Sequence, residues 1–425
     1  MNKTNEHKIT SMLALIAFVA YWQLSTSIPI WLFVLWCFFQ NTPVALPTSI
    51  KKIKPKTLAA LSQSRNNNFN LLRLLAAWSI LFFHSYVLTG TMPTSWFDTH
   101  IGRYMGFYAV NVFFFISGFL VTQSIERSSL SRRYLTLRFM RLVPPLCMAM
   151  LSSILLLGPL MTTLPVYNYF CDLADWFYLA ISTSMKDMHF TLPGVFANNH
   201  YPNIVNGSLW TLVQEIRLYI FLFLLAQLGV IRNRYLLLAT TAGIFALYFI
   251  RFFQIEATVE LAELWREKAH NILLVHLYFF LGFLAAQLAH WLPIHWRYSP
   301  LLALPVLCLQ HTFLHDLSIA VLVAYLVLLL TYGSGNYLHF YNKLGDYSYG
   351  TYLYAFPIQQ MLVAWFPGLS FTELVLYATP TALCCALASW HLLENPLMTY
   401  SKNLHFSKAT IGNNRQRVLL TGENA

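Results

Sequence analysis

Long apolar blocks recur along almost the whole of this chain, most of them close to twenty residues and without the alternation of a half-buried strand. A helix of ~20 residues spans the ~30 Å hydrocarbon core of a bilayer. It also satisfies its own backbone hydrogen bonds, which lipid cannot do for it. Charge agrees with that reading. Of 425 residues, 57% are hydrophobic and only 10% are charged, against roughly 25% charged in soluble domains. Too few charges remain to coat a water-exposed surface. The expected fold is all-α, a polytopic transmembrane helical bundle.

Apolar runs and their breaks place ten core spans near 71–89, 107–124, 143–162, 207–230, 235–252, 271–291, 299–314, 316–332, 347–366 and 372–393. Two shorter runs near 9–24 and 28–40 read as an N-terminal hydrophobic hairpin. Lys3 and Lys8 before an apolar run also fit a signal sequence, though no small-residue cleavage site follows. The expected division is a hairpin over 1–45, a basic cytoplasmic linker over 46–66, the ten-span domain over 67–398 and a cytoplasmic tail over 399–425. Pro43, Pro47 and Pro55 oppose helix in and around the linker.

Positive charge orients these spans. With the linker inside, the inner segments hold 20 of the 27 Lys and Arg, the outer loops hold four, and three lie within spans. The C-terminus is then cytoplasmic. The net charge of +11 is mostly this topology signal, and nucleic acid is not an expected partner. Six cysteines occur without a C-x-x-C or a His/Cys cluster, so neither a disulfide framework nor a metal site is expected.

Ionisable residues inside apolar spans are the informative ones. Arg73 and His84 stand eleven residues apart in the first core span. Three turns separate them, so they share a helix face at an axial distance of ~16 Å. Arg73 then lies near the cytoplasmic boundary and His84 about midway. The same spacing also fits an arginine snorkelling to headgroups and a histidine bonded to a neighbouring helix. A second group is Asn206-Gly-Ser208-Leu-Trp210-Thr-Leu-Val-Gln-Glu215. Asn206 or Ser208 can cap a helix entering from the outer face, which puts Glu215 ~12 Å into the span. A buried carboxylate needs a partner. An imidazole at that depth would serve, and the pair would make a general base for a hydroxyl group. Bonding to a neighbouring helix for packing alone fits Glu215 as well. The third group, Arg138-Phe-Met-Arg141, puts two guanidinium forks on one face at the inner surface, suited to phosphate; positive-inside anchoring explains the same charges. Pro144 and Pro145 are expected to halt the helix just after Arg141. His189 and His200, in the long outer segment 163–206, would line a substrate entrance or sit as solvated loop residues.

These motifs together resemble the acyltransferase-3 family of ten-span membrane acyltransferases, from about Asn68 to Pro396. The likeness rests on Arg73 with His84, on Arg138-x-x-Arg141, and on Phe115-Ile-Ser-Gly118-Phe-Leu. It rests also on Asn206-Gly-Ser-Leu-Trp210 with Glu215, on Gly345-Asp-Tyr-Ser348-Tyr-Gly-Thr-Tyr, and on Glu394-Asn-Pro396. The resemblance implies O-acylation, acetyl foremost, of a surface or lipid-linked glycan in a bacterial cytoplasmic (inner) membrane. Acyl-CoA, acetyl-CoA in the first place, would be donor substrate, with no bound cofactor. It implies His84 as catalytic residue and Arg73, Arg138 and Arg141 as donor-binding residues; Glu215, at a matching depth, is the expected catalytic partner that orients His84. Asn206, Ser208 and Trp210 would serve the acceptor or support the site. Asn70 stands where many members have Asp, so carboxylate support for Arg73 or His84 must come from elsewhere, with Glu215 the expected source. Ala355 stands where many members have His, so that position is not catalytic here. No hydrolase-like domain follows the last span, so transfer is expected within the membrane domain or through a separate partner. The rival class is a transporter of lipid-linked glycan or small solute without acyl chemistry. Polar midplane residues fit it, but no inverted repeat is visible.

Overall fold

The computed structural model describes residues 56–63, 67–91, 102–127, 132–172, 178, 190–257, 263–310, 312, 314–333 and 339–401. The N-terminal hairpin, most of the linker, nearly all of the tail and His189 lie outside these.

The described chain is all-α. In order come α1 (Leu58–Ser62), α2 (Phe69–Thr89), α3 (Arg103–Arg127), α4 (Arg132–Ser152), α5 (Gly158–Met161), α6 (Val166–Cys171), α7 (Trp210–Gln227), α8 (Arg234–Ala257), α9 (Glu263–Gln287), α10 (Ser299–Cys308), α11 (His315–Tyr332), α12 (Ser348–Trp365) and α13 (Phe371–Ser389). Eight helical segments among the described residues are long and apolar enough to cross a membrane. The chain is therefore polytopic, as its apolar blocks require.

Two expected spans differ from the rest. The segment 299–314 is helical only over the ten residues of α10, about 15 Å, half a bilayer. Pro305 lies inside it and removes a backbone donor, and the helix ends three residues later. The other is α12, whose apolar run is interrupted by Ser348, Thr351, Gln359 and Gln360. All four are buried, so this helix meets protein rather than lipid along most of its length.

Residues 143–162 bring a correction. Pro144 and Pro145 do not halt the helix: α4 runs through both to Ser152 and continues as a wider π turn over Ser153–Leu157. Prolines inside membrane helices are tolerated where neighbouring groups re-satisfy the loosened backbone. The carbonyls that lose their donors to the prolines are those of Met140 and Arg141; just beyond them the Tyr349 hydroxyl donates to the Leu142 carbonyl at 2.8 Å. Arg138 and Arg141 consequently sit within a continuous helix rather than at its end.

Two compact units divide the chain. The first comprises Met1–Tyr86, Thr91–Gln123 and Gly229–Asp346. A close crossing joins α3 to α9 at Gly118 and Gly282. A Cβ on Gly118 would overlap the Phe279 carbonyl group, and one on Gly282 would come 2.7 Å from the Phe119 nitrogen. Small residues that let backbones approach are the usual device of helix packing in lipid, where no hydrophobic effect drives association. The start of α2 is clipped to the end of α11: Asn68 Nδ2 donates to the Leu330 carbonyl at 3.2 Å, and Phe69 meets Tyr332 edge-on at 5.8 Å. The linker's last residues also fold here, with Leu58 N donating to the Leu292 carbonyl at 2.8 Å.

The second unit comprises Val87–Gly90, Ser124–Leu228 and Tyr347–Ala425. Here α12 and α13 pack closely where Gly350 faces Ala386; a Cβ on that glycine would stand 2.8 Å from the Ala386 Cα.

Candidate active site

In the first unit, Arg73 and His84 both lie on α2, and the stripe between them is its packed face. Ala76, Ala77, Ile80 and Leu81 are each no more than 4% exposed. Arg73 does not snorkel. Its Nη1 donates to Asp346 Oδ2 at 2.8 Å, with side-chain exposures of 12% and 6%. The carboxylate beside Arg73 is thus Asp346, of the Gly345-Asp-Tyr-Ser348 motif, and not Glu215. Sequence reasoning missed this residue. A signal was available: Arg73 and Asp346 both fall at the expected inner boundary of a span, and a charge there requires a counter-ion. One N–H of the five on the guanidinium meets Asp346 in this bond. His84 is half-buried, its ring 5.7 Å from that of Phe83.

In the second unit, α4 and α7 carry Arg138, Arg141 and Glu215. The Arg138 guanidinium carbon stands 5.7 Å from the Tyr134 ring centre and 5.6 Å from that of Tyr219, within cation–π range. Its Nε is buried without a hydrogen-bond acceptor, and so is the Tyr134 hydroxyl. The Tyr219 hydroxyl donates to Glu215 Oε1 one turn back on α7. Arg138, Tyr134, Tyr219 and Glu215 therefore form one cluster, with a cation whose Nε is an unused donor. Arg141 is half-buried, and both it and Glu215 act electrostatically on Tyr349. Tyr219 was not singled out from the sequence, although its (i, i+4) spacing from Glu215 is the ordinary signal for a helical pair.

The Asn206 group is explained by its bonds. Asn206 is 1% exposed. Its Nδ2 donates to the Leu353 carbonyl at 2.8 Å, and its Oδ1 accepts from Ser208 Oγ at 2.6 Å and Ser208 N at 3.3 Å. The side chain thus caps the turn leading into α7, as the sequence suggested, and pins that turn to α12. Tyr352 adds a second tie through Ser208 and Thr211. Trp210 is the half-buried first residue of α7. Glu394 is 2% exposed and accepts from Ser389 Oγ at 2.8 Å.

Comparison with known proteins gives this arrangement its context. Residues 66–390 match the family model of an acyltransferase domain, three quarters of the chain. The chain belongs to the acyltransferase-3 family. With its apolar helices, this makes it an integral membrane acyltransferase of groups other than amino-acyl groups, which sets the transporter reading aside. The chain is 25% identical over 360 residues to a protein of Shigella phage Sf6 named "O-acetyl transferase", an alignment covering 79% of this chain and 97% of that one. It is 30% identical over 175 residues to "Nodulation protein 10" of Rhizobium leguminosarum bv. viciae, covering 39% of this chain and 46% of that one. No solved structure matches the chain.

Proposed function

We propose that this acyltransferase moves an acyl group, acetyl foremost, from cytoplasmic acyl-CoA to a hydroxyl of a surface or lipid-linked glycan. The reading sets it in a bacterial inner membrane with ten crossings and a cytoplasmic C-terminus. The observation that carries it is Arg73, held by Asp346 at 2.8 Å on the helix that bears His84 three turns further along. One helix thereby offers a fixed cation at the expected inner boundary and an imidazole at the expected midplane. A long donor with phosphates at one end and a thioester at the other has that same polarity. Support for donor binding at the second arginine group comes from Arg138, whose buried Nε has no acceptor; a phosphate oxygen would supply one.

The chemistry follows from general base catalysis. His84 takes the proton of the acceptor hydroxyl as its oxygen attacks the thioester carbonyl. The carbon–sulfur bond breaks, and the proton passes to the departing thiolate, leaving an acyl ester and free CoA thiol. Glu215 orients His84 in this reading, and Tyr219, bonded to Glu215, holds that carboxylate. Asn206, Ser208 and Trp210 support the turn that delivers Glu215. The Sf6 relative's name, O-acetyl transferase, supports acetyl and an oxygen acceptor.

The test is transfer of radiolabelled acetyl from acetyl-CoA to cell-envelope glycan in membranes holding wild type or His84→Ala. Label lost from an equally abundant mutant supports the mechanism, and full activity in the mutant removes it. Arg138→Ala with Arg141→Ala should raise the apparent donor KM with little change at saturating donor. Arg138→Lys should not restore it, since a point charge lacks the planar fork.

A further inference from the structure

One end of the second unit carries a half-open cavity of about 360 Å³, within the ~300–1,000 Å³ usual for small-molecule sites. Leu88 and Thr89 contribute one wall. They belong to the last turn of α2, and Leu88 follows His84 by four residues, one helical turn on the same face. The opposite walls come from the 196–200 loop, from the end of α12 at Ala364 and from the turn that follows it. All these elements lie on the outer side in the charge-based topology.

The lining has a specific chemistry. Among the described residues it contains no Asp, Glu, Lys or Arg. Its polar groups are hydroxyls, amides and one imidazole, from residues such as Thr89, Asn199 and His200, and the remaining wall is apolar. That mixture suits an uncharged, hydroxyl-rich ring with one apolar face. A carboxylate or phosphate would be desolvated there, with no Lys or Arg among the described lining residues to meet it.

The cavity is also held in shape rather than left as a solvated loop. Asn199 Nδ2 donates to Gln360 Oε1 at 2.8 Å and to the Gln360 carbonyl at 2.9 Å, while Gln360 Nε2 donates to the carbonyls of Tyr201 and Ile204 at 2.8 Å each. Gln360 is fully buried, so the loop is clipped to α12 by a side chain with no access to water. The Asn199 amide nitrogen is committed to this clip, and its Oδ1 remains as an acceptor. Phe196 and Asn203 hold φ of 56° and 64°, a region that non-glycine residues enter at a cost and that clusters at binding sites. The Phe196 carbonyl gathers the Asn199 and Asn203 N–H groups at 3.2 Å each. His200 lies against Gly90, whose φ is +64°; a Cβ there would come 2.9 Å from the imidazole Cδ2 and overlap its Nε2 and Cε1.

We infer that this cavity is the acceptor subsite and that it takes a neutral monosaccharide unit, with His200 and Asn199 as specificity-determining residues. The inference rests on the acyl-transfer reading above and adds to it the class of sugar. It is tested with the full chain in nanodiscs, using acetyl-CoA and paired acceptors, methyl hexopyranosides and the matching methyl hexopyranuronides. Neutral acceptors should be labelled at least tenfold faster than acidic ones. Ala364→Trp, which fills the cavity, and His200→Ala should each raise the acceptor KM at least fivefold with the donor KM unchanged. Saturation-transfer NMR with a methyl hexopyranoside should show contact to wild type that Ala364→Trp abolishes, in protein of unchanged melting temperature. Equal labelling of acidic acceptors, or an unchanged acceptor KM in both variants, overturns the inference. If wild type labels no acceptor, the acyl-transfer reading fails by itself; the NMR contact then decides the pocket separately, and no contact, or contact undiminished by Ala364→Trp, overturns it.

Discussion

Removing Asp346 takes away the carboxylate that Arg73 Nη1 meets at 2.8 Å, and the structure indicates how much that costs. The two side chains are 12% and 6% exposed, which puts them in the buried regime. Exposed ion pairs contribute about 0–1 kcal/mol. Removing one partner of a buried pair costs ~3–5 kcal/mol, because the other charge stays desolvated and unpaired. Asp346→Ala and Arg73→Ala should therefore each destabilise strongly, and Asp346→Asn less, since it keeps an acceptor near the 2.8 Å position. Arg73→Met combined with Asp346→Leu removes both charges at once and should melt above either single variant, since paired apolar replacement is often near neutral. Measured against the matching singles, Arg73→Met and Asp346→Leu, a near-neutral double variant puts the coupling at about 6–10 kcal/mol, the sum of the two single losses. Tryptophan-fluorescence melts in detergent read the stability, and acetyl-CoA kinetics on the recovered double variant read the donor role separately. A folded double variant with a raised donor KM would assign Arg73 to binding as well as packing. Asp346→Ala melting with wild type, or a double variant that loses the sum of its singles, would refute the reasoning.

Two further outcomes follow from backbone geometry and from one buried amide. Gly118→Ala and Gly282→Ala each drive a methyl into backbone atoms of the partner helix, so both should cost more than the ~1–3 kcal/mol of ordinary overpacking and lower the yield of folded protein. Gly243→Ala, within α8 and with nothing inside 4 Å, should instead stabilise by ~0.5–1 kcal/mol, measured in the same melts. Asn206→Ala strands the Leu353 carbonyl and uncaps the turn into α7, at ~1–3 kcal/mol. Asn206→Asp keeps the cap but not the donor, so its loss in the same melts should fall between those of wild type and Asn206→Ala.

What was legible in the sequence and what was not divide along a physical line. The bilayer acts on every span alike, so length and apolarity alone located most of the helices long and apolar enough to cross it. Requirements set by one particular neighbour were hidden. Pro144 and Pro145 look like a helix stop to anyone counting lost backbone donors, yet α4 continues, with the Tyr349 hydroxyl on the Leu142 carbonyl in the loosened stretch. That hydroxyl lies 207 residues away in the chain. Phe115-Ile-Ser-Gly118 was visible as a pattern, but its cause is the α9 backbone lying where a side chain would stand. Arg73 shows the two kinds of requirement together. That a buried arginine needs a carboxylate is solvent physics and could be read from position; which carboxylate answers is tertiary, and Asp346, which does, lies 273 residues away in the chain. The loop at His200 was the hardest case. A histidine between asparagines and a tyrosine has the composition of a solvated loop. Only the buried Gln360 clip and the left-handed Phe196 turn it into the wall of a cavity. Polar residues on outer loops of membrane enzymes are therefore best weighed by what holds their backbone, because a loop free to move would have no need of a fully buried amide beneath it.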